Sequence, residues 1–142
     1  MNNIIVNGGK RSERDIVEHA VYWCVQKMMP KIKTLDIEVT ILKLDDAFGY
    51  CLCEDKRTFQ LDIKKGLTLY DLISTVCHEM THVKQYVRGE LKEVNYGAKW
   101  KGKLFKDSMA YAKMPWEKEA FDLEKELTFK CFEEISFTFH NQ

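Results

Sequence analysis

The run His78-Glu79-Met80-Thr81-His82 restricts the backbone around it more than any other stretch of the chain. Histidines four residues apart sit one turn apart on the same face of an α-helix, where two imidazoles can reach one ion at about 2.0–2.1 Å. On a strand they would stand about 13 Å apart. The flanking residues ask for a helix independently, over positions 69–88. Thr68 with Asp71 reads as a capping box and Gly89 takes the position just past the end. Leu69, Leu72, Ile73, Val76, Met80, Val83 and Val87 recur at helical spacing. Val76 and Met80 lie about 160–200° round from His78, so the helix has a core side and a separate histidine side. Chance is a poor explanation: shuffling a chain with four His and thirteen Glu in 142 residues yields this pattern only about 0.008 times.

The rest of the chain bounds what such a helix can belong to. A length of 142 residues predicts one domain, 1–142, and 45% apolar residues with two Pro supply an ordinary core. Twenty-two basic residues balance twenty-two acidic ones, so no overall field draws the chain to nucleic acid or to an anionic membrane. Neither is an expected partner. No run approaches the length of a transmembrane helix, and Met1 to Val6 followed by Asn7-Gly8-Gly9 lacks a secretory apolar region. The expectation is a soluble, cytoplasmic protein. Cys24, Cys51, Cys53, Cys77 and Cys131 are odd in number and show no CxxC spacing, which favours reduced packing thiols over a disulfide framework or a zinc knuckle.

Periodicity places the remaining elements. Ser12 with Asp15 suggests a capping box, and an amphipathic helix is predicted over residues 13–29, closed by Pro30. Leu35, Ile37, Val39 and Ile41 alternate with polar residues as a strand with one solvated face does. Short strands are predicted over residues 50–53 and 58–63, the group forming an antiparallel meander. Residues 90–113 are weakly periodic and predict short strands and loop. Their Lys99 to Lys106 stretch, with Trp100 and Phe105, reads as a solvated hairpin, since no nucleic-acid motif accompanies its lysines. Pro115 suits the first turn of a last helix running to about Glu134, with Trp116, Ala120, Leu123, Leu127 and Cys131 on one face. The fold class is α+β, a small antiparallel or mixed sheet packed on three helices.

A catalytic zinc takes three protein ligands and leaves one position open. His78 and His82 supply two, and Glu79, next to the first, can reach a bound water as a general base. The long motif with Gly at 85 and His at 88 is absent, since Gln85 and Arg88 stand there. His19 and His140 lie in no ligand-like context. A carboxylate remains, and Met114-Pro115-Trp116-Glu117-Lys118-Glu119-Ala120-Phe121 offers two, Glu117 and Glu119, about 200° apart on a helix.

HExxH on one helix and a Glu in an ExxA setting on a later one resemble the gluzincin metallopeptidases, especially the small single-domain members of bacteria, archaea and phages. The explicit motifs cover about a tenth of the chain, and the order of elements agrees with them. The resemblance implies a zincin-like fold, Zn2+ as cofactor, and His78, His82 and Glu117 as ligands. Glu117 is preferred to Glu119 because Ala120 follows it by three. It also implies peptide-bond hydrolysis by a metal-activated water with Glu79 as base. Tyr111 is the candidate oxyanion donor, ahead of Tyr96 and His140. Many gluzincins continue as ExxAD or ExxxD, the aspartate supporting a ligand histidine. Position 121 here is Phe and the nearest aspartate is Asp122, which leaves that support unassigned. Peptidases of this architecture pair an extended peptide or protein substrate with a sheet edge. Residues 58–63 are the expected edge, with an interior place as the alternative. Two further readings are a silent zincin-fold binding module and a SprT-like DNA-associated protease, which would need a third histidine.

Overall fold

Strands whose alternate residues are apolar need one covered face, and the structure, a computed structural model describing residues 1–140 except the side chains of Ala112, Phe139 and His140, supplies it with helices. Strands β1 (Asn3–Gly8), β2 (Asp36–Leu42), β3 (Gly49–Asp55) and β4 (Thr58–Lys64) form a sheet in the order β1-β2-β4-β3. Ile37, Val39 and Ile41 of β2 and Phe59, Leu61 and Ile63 of β4 are buried under helices α1 (Arg11–Met28) and α2 (Leu69–Val87). Helix α3 (Pro115–His140) packs against both. At the junction of the three helices Cys24, Cys77 and Cys131 are fully buried free thiols. Small side chains there let the helices approach closely.

The architecture is α+β with a mixed sheet, and the antiparallel meander is corrected. β1 with β2 and β2 with β4 run parallel, and only β3 with β4 is antiparallel. β1 went unread as a strand, although Ile4, Ile5 and Val6 ahead of Asn7-Gly8-Gly9 carry the β-branched run and turn that mark one. The expected edge is corrected as well: β4 is interior and β3 is the edge. The reason is side-chain size. β4 turns three large apolar residues inward, which belong at the centre of a core. β3 turns Gly49, Cys51 and Cys53 inward and carries exposed Tyr50 and Leu52, which leaves space between its edge and α2.

Helix starts follow local chemistry. The Ser12–Asp15 box does not form. Glu13 takes that role two residues earlier, its carboxylate accepting from Lys10 N at 2.8 Å and from Gly66 N at 2.8 Å. The same carboxylate thereby joins the β1–α1 turn to the β4–α2 loop. Gly8 has φ +81°, and a Cβ there would fall 2.2 Å from Ile41 O, so glycine is required. α2 begins as expected, with Thr68 Oγ1 accepting from Asp71 N at 3.2 Å, and ends at Gly89 in a left-handed conformation. α3 starts at Pro115 and runs past the expected end near Glu134.

Residues 91–106 form a second sheet of β5 (Leu91–Val94), β6 (Gly97–Trp100) and β7 (Lys103–Lys106), in that order and antiparallel. It has its own small core. Leu91, Ala98 and Trp116 are buried together, with Tyr86, Trp100, Phe105 and Met114 packed around them. A 3-10 turn at Tyr111–Lys113 then leads into α3. Among the described residues no helix is long and apolar enough to cross a membrane.

The Glu13 carboxylate is held below its usual pKa by its backbone donors at Lys10 and Gly66. A depressed folded-state pKa contributes stability above the unfolded value of 4.5 that is lost as pH falls through the folded value. Glu13→Ala is therefore expected to cost about 1 kcal/mol at neutral pH, a value appropriate to a partly exposed cap. The cost should shrink below pH 4, as read from urea unfolding midpoints of both proteins across pH.

Candidate metal centre

α2 buries its apolar side against the sheet and α1, and presents His78, Glu79 and His82 to α3 and the β3 edge, all three nearly inaccessible to solvent. The first turns of α3 bring Glu117 to the two imidazoles. Its Oε1 lies 3.1 Å from His78 Nε2 and its Oε2 lies 3.2 Å from His82 Nε2. Ala120, fully buried one turn later, allows α3 to come this close. The ligand atoms of His78, His82 and Glu117 all lie within 4.8 Å of one another. On a tetrahedral ion with bonds of about 2.0–2.1 Å, donors stand about 3.3 Å apart, so this buried group matches what a metal ion needs. Two imidazoles and a carboxylate suit zinc and other divalent transition ions alike.

The second nitrogen of each imidazole is also held. His78 Nδ1 lies 3.0 Å from Glu124 Oε1, and the His78 ring packs on Phe121 at 4.8 Å between centroids. Glu124 follows Glu117 by seven residues, which is 20° short of two full turns, so the two carboxylates share a helix face. It fills the supporting role that sequence reasoning left unassigned at Phe121. Asp122 is exposed and on another face. His82 Nδ1 meets Gln85 Oε1 at 2.8 Å, and Gln85 Nε2 donates to Trp116 O at 2.9 Å and to Glu119 Oε1 at 3.1 Å. Gln85 had no motif to mark it. Its signal was negative, the missing Gly of the longer motif.

Of the two candidate carboxylates, Glu119 turns away from the imidazoles. It receives Lys84 Nζ at 2.7 Å, and Lys84 also reaches Glu90 at 2.9 Å. Tyr111 lies in the 3-10 turn and lines the cavity with Glu117, its ring largely exposed; partial burial of the hydroxyl and the nearby Glu117 carboxylate lift its pKa. Tyr96 sits at the exposed tip of the β5–β6 turn, away from the group. His19 lines a different cavity with Tyr22 and Trp23. Arg88 donates to Met28 O, and the His140 side chain lies outside the described residues.

A cavity of about 150 Å3 touches His82, Glu117, Glu79 and Tyr111, and a wider one of about 460 Å3 continues past His78 to Phe48, Tyr70 and Phe121. Glu79 and Tyr111 line both. Gly49 does too, and its missing side chain matters: a Cβ would lie 2.8 Å from Thr75 Cγ2 and 3.3 Å from Glu79 Cγ. Only glycine lets β3 pass over α2 beside this glutamate.

Electrostatics separates the carboxylates. Burial pushes Glu79 up, against the opposing pull of His82 and His78. Burial would also raise Glu117, yet the hydrogen-bonded imidazoles of His78 and His82, with a smaller pull from Tyr111, win and hold it at about 2. Burial likewise disfavours charge on His78, but Glu117 and Glu124 outweigh it and lift the imidazole to about 9. His82 is raised by the same balance through Glu117. Both nitrogens of each imidazole face oxygen acceptors, which favours the protonated rings in the metal-free protein.

Comparison with family models, with curated proteins and with solved structures finds no match for the chain. The functional reading therefore rests on this geometry.

Metal affinity is expected to fall most in Glu117→Ala, about 10–100-fold in Glu124→Ala, and least in Glu119→Ala, by titration with a chromogenic chelator. Because a metal takes neutral imidazoles, uptake must expel the extra proton that His78 holds below about pH 9. Affinity should rise with pH up to about 9, the His78 value. Calorimetry in buffers of different ionisation enthalpy should record net proton release at pH 7.

Proposed function

We propose that the protein is a zinc-dependent peptidase of the gluzincin type, with a zincin-like fold. One observation carries the reading: His82 and Glu117 of the buried His78/His82/Glu117 group share a cavity with a second acidic side chain, Glu79, beside an open sheet edge. Zinc held by the three would supply Lewis acidity toward a carbonyl oxygen and toward water, which no side chain here provides. The chain does the rest.

Glu79 is the proton acceptor. Its burial raises the carboxylate, which moves a general base toward its working pH. As the attacking water loses its proton to Glu79, that proton is placed to pass to the leaving amine. Tyr111, which lines the cavity with Glu79 and Glu117, donates a hydrogen bond to the oxyanion that forms on the peptide carbonyl. Glu124 and Gln85 fix the two imidazoles so that both Nε2 atoms face the same point. The substrate is an extended polypeptide laid along β3, by strand addition.

Two observations favour this over the other readings. The Phe121 departure, which suggested a silent binding module, is made good by Glu124. The third position beside the histidines is a carboxylate, whereas the SprT-like reading asks for histidine there.

Glu79→Gln removes the base while keeping the shape of the side chain. Peptidase turnover is expected to drop about 10²–10⁴-fold with zinc content unchanged by atomic absorption. Undiminished cleavage in this variant, or a parent protein that binds no zinc, would overturn the proposal.

A further inference from the structure

The main sheet ends at β3 and the small sheet begins at β5, two edges that do not pair with each other. Both line one cavity of about 670 Å3, β3 and its turn through Cys53, Glu54, Asp55 and Lys56, and β5 through Leu91, Lys92 and Glu93. Tyr86 and Leu91 line this cavity and the one at the metal group as well. The groove and the candidate centre thus have Tyr86 and Leu91 as a common wall.

Which backbone groups face the groove follows from register. The β5–β6 turn has two residues, with Val94 opposite Gly97. In a two-residue hairpin that closing pair exchanges both hydrogen bonds, and the pairs then alternate. Val94 and Lys92 bond inward to β6, and the bond from Lys101 N to Glu90 O at 2.7 Å keeps the same parity. Leu91 and Glu93 therefore turn their N–H and C=O outward. On the other edge Lys64 N bonds Phe48 O at 2.7 Å, and Tyr50 and Leu52 continue that set opposite Asp62 and Gln60. Gly49, Cys51 and Cys53 turn their backbone outward. All five outward residues line these cavities, and of the inward-bonded ones Tyr50 and Lys92 reach them as well.

We infer that a single extended polypeptide segment inserts between β3 and β5, pairing with Cys51 and Cys53 on one side and with Leu91 and Glu93 on the other. A strand presents backbone groups to both flanks, so one segment satisfies both edges and joins the two sheets through itself. The occupant is a stretch of polypeptide and not a charged small molecule, because the cavity carries Glu54, Asp55 and Glu93 against Lys56, Arg88 and Lys92 and so has no net charge to select with. Recognition is through the backbone, with little dependence on the charge of the side chains. This rests on the peptidase reading for the role of the segment, as the part of the substrate on one side of the reacting bond. The pairing with β5 is additional to the edge β3 already assigned.

The test is amide hydrogen exchange by NMR on zinc-loaded Glu79→Gln protein. The probe is a set of ten-residue peptides of alternating Thr and Val with a central Phe and either Lys or Glu at both flanks. Exchange at Cys51, Cys53, Leu91 and Glu93, fast in the free protein, is expected to slow at least tenfold with either peptide. Slowing confined to Cys51 and Cys53, or none at any of the four, overturns the inference. So does slowing with only one of the two charges. Mass spectrometry of the same peptides with the parent protein separates the two readings. Four slowed amides with an uncut peptide uphold the clamp and reject the peptidase. A cut peptide with no change at Leu91 and Glu93 does the reverse.

Discussion

The Glu117 carboxylate, held between His78 and His82, is the interaction on which the arrangement of α2 and α3 depends. A buried carboxylate or imidazolium is costly alone, and breaking such a pair by removing one partner costs about 3–5 kcal/mol. Here each oxygen of Glu117 has its own imidazole, so the start of α3 can occupy one height and one rotation on α2. The rest of the helix follows from that setting. Ala120 meets α2 without a side chain in the way, and Glu124 arrives at His78 on the next exposed turn of the same face. Leu127, Cys131 and Ile135 enter the main core. On the opposite flank of the site, Gln85 ties His82 to the Trp116 carbonyl, and Lys84 draws Glu119 and Glu90 together. The polar network thereby links α2 and α3 to the segment that opens the small sheet.

The three residues that face inward from β3 have a complementary effect. Large side chains at Gly49 and Cys51 would fill the space over Glu79 and His82, as Phe59, Leu61 and Ile63 fill the space beneath the neighbouring strand. Keeping them small costs the core some packing and leaves a cavity at the metal group. The small sheet then encloses the far side. Its core is built around Trp116, a residue of α3 adjacent to Glu117, with Trp100 and Phe105 against it at 6.5 and 5.9 Å. One residue anchors the wall and the next faces the metal group.

Much of this was legible in the sequence because it is local. The bounds of α2 follow from Thr68, Asp71 and Gly89, all within a turn of the helix ends, and HExxH lies within five residues. Pro115 announces the helix that carries Glu117. What escaped is non-local. Glu124 supports a histidine 46 positions away, and its relation to Glu117, seven residues on, emerges only once α3 is known to lie along α2. Strand order was misjudged because periodicity says which residues face inward but not which strand sits beside which. The parallel pairing of β2 with β4 needs β3 to be pushed outside, a choice made by summed side-chain volume. Residues 91–106 look unpatterned because their strands are four residues long and much of their core comes from Tyr86, Met114 and Trp116 outside them.

The two glutamates closest to the histidines show how one residue type acquires two roles. Glu117 meets two imidazoles, which hold its pKa at about 2, so it is a carboxylate at neutral pH and fit to bind a cation. Glu79 is one residue from His78 in sequence, yet one helical step of 100° takes it off the ligand face. It is buried with fewer compensating partners, and its pKa moves up, toward a group that can take a proton and give it back. The separation needs no difference in side-chain chemistry. It needs only that α3 approach α2 from the direction of His78 and His82, while β3, stripped of side chains at Gly49, approaches from the direction of Glu79. In the metal-free protein both nitrogens of each imidazole face oxygen acceptors, which favours the protonated rings and so positive charge where a cation would sit. The same packing is therefore electrostatically consistent with and without metal, and the site can be built by folding before it is filled.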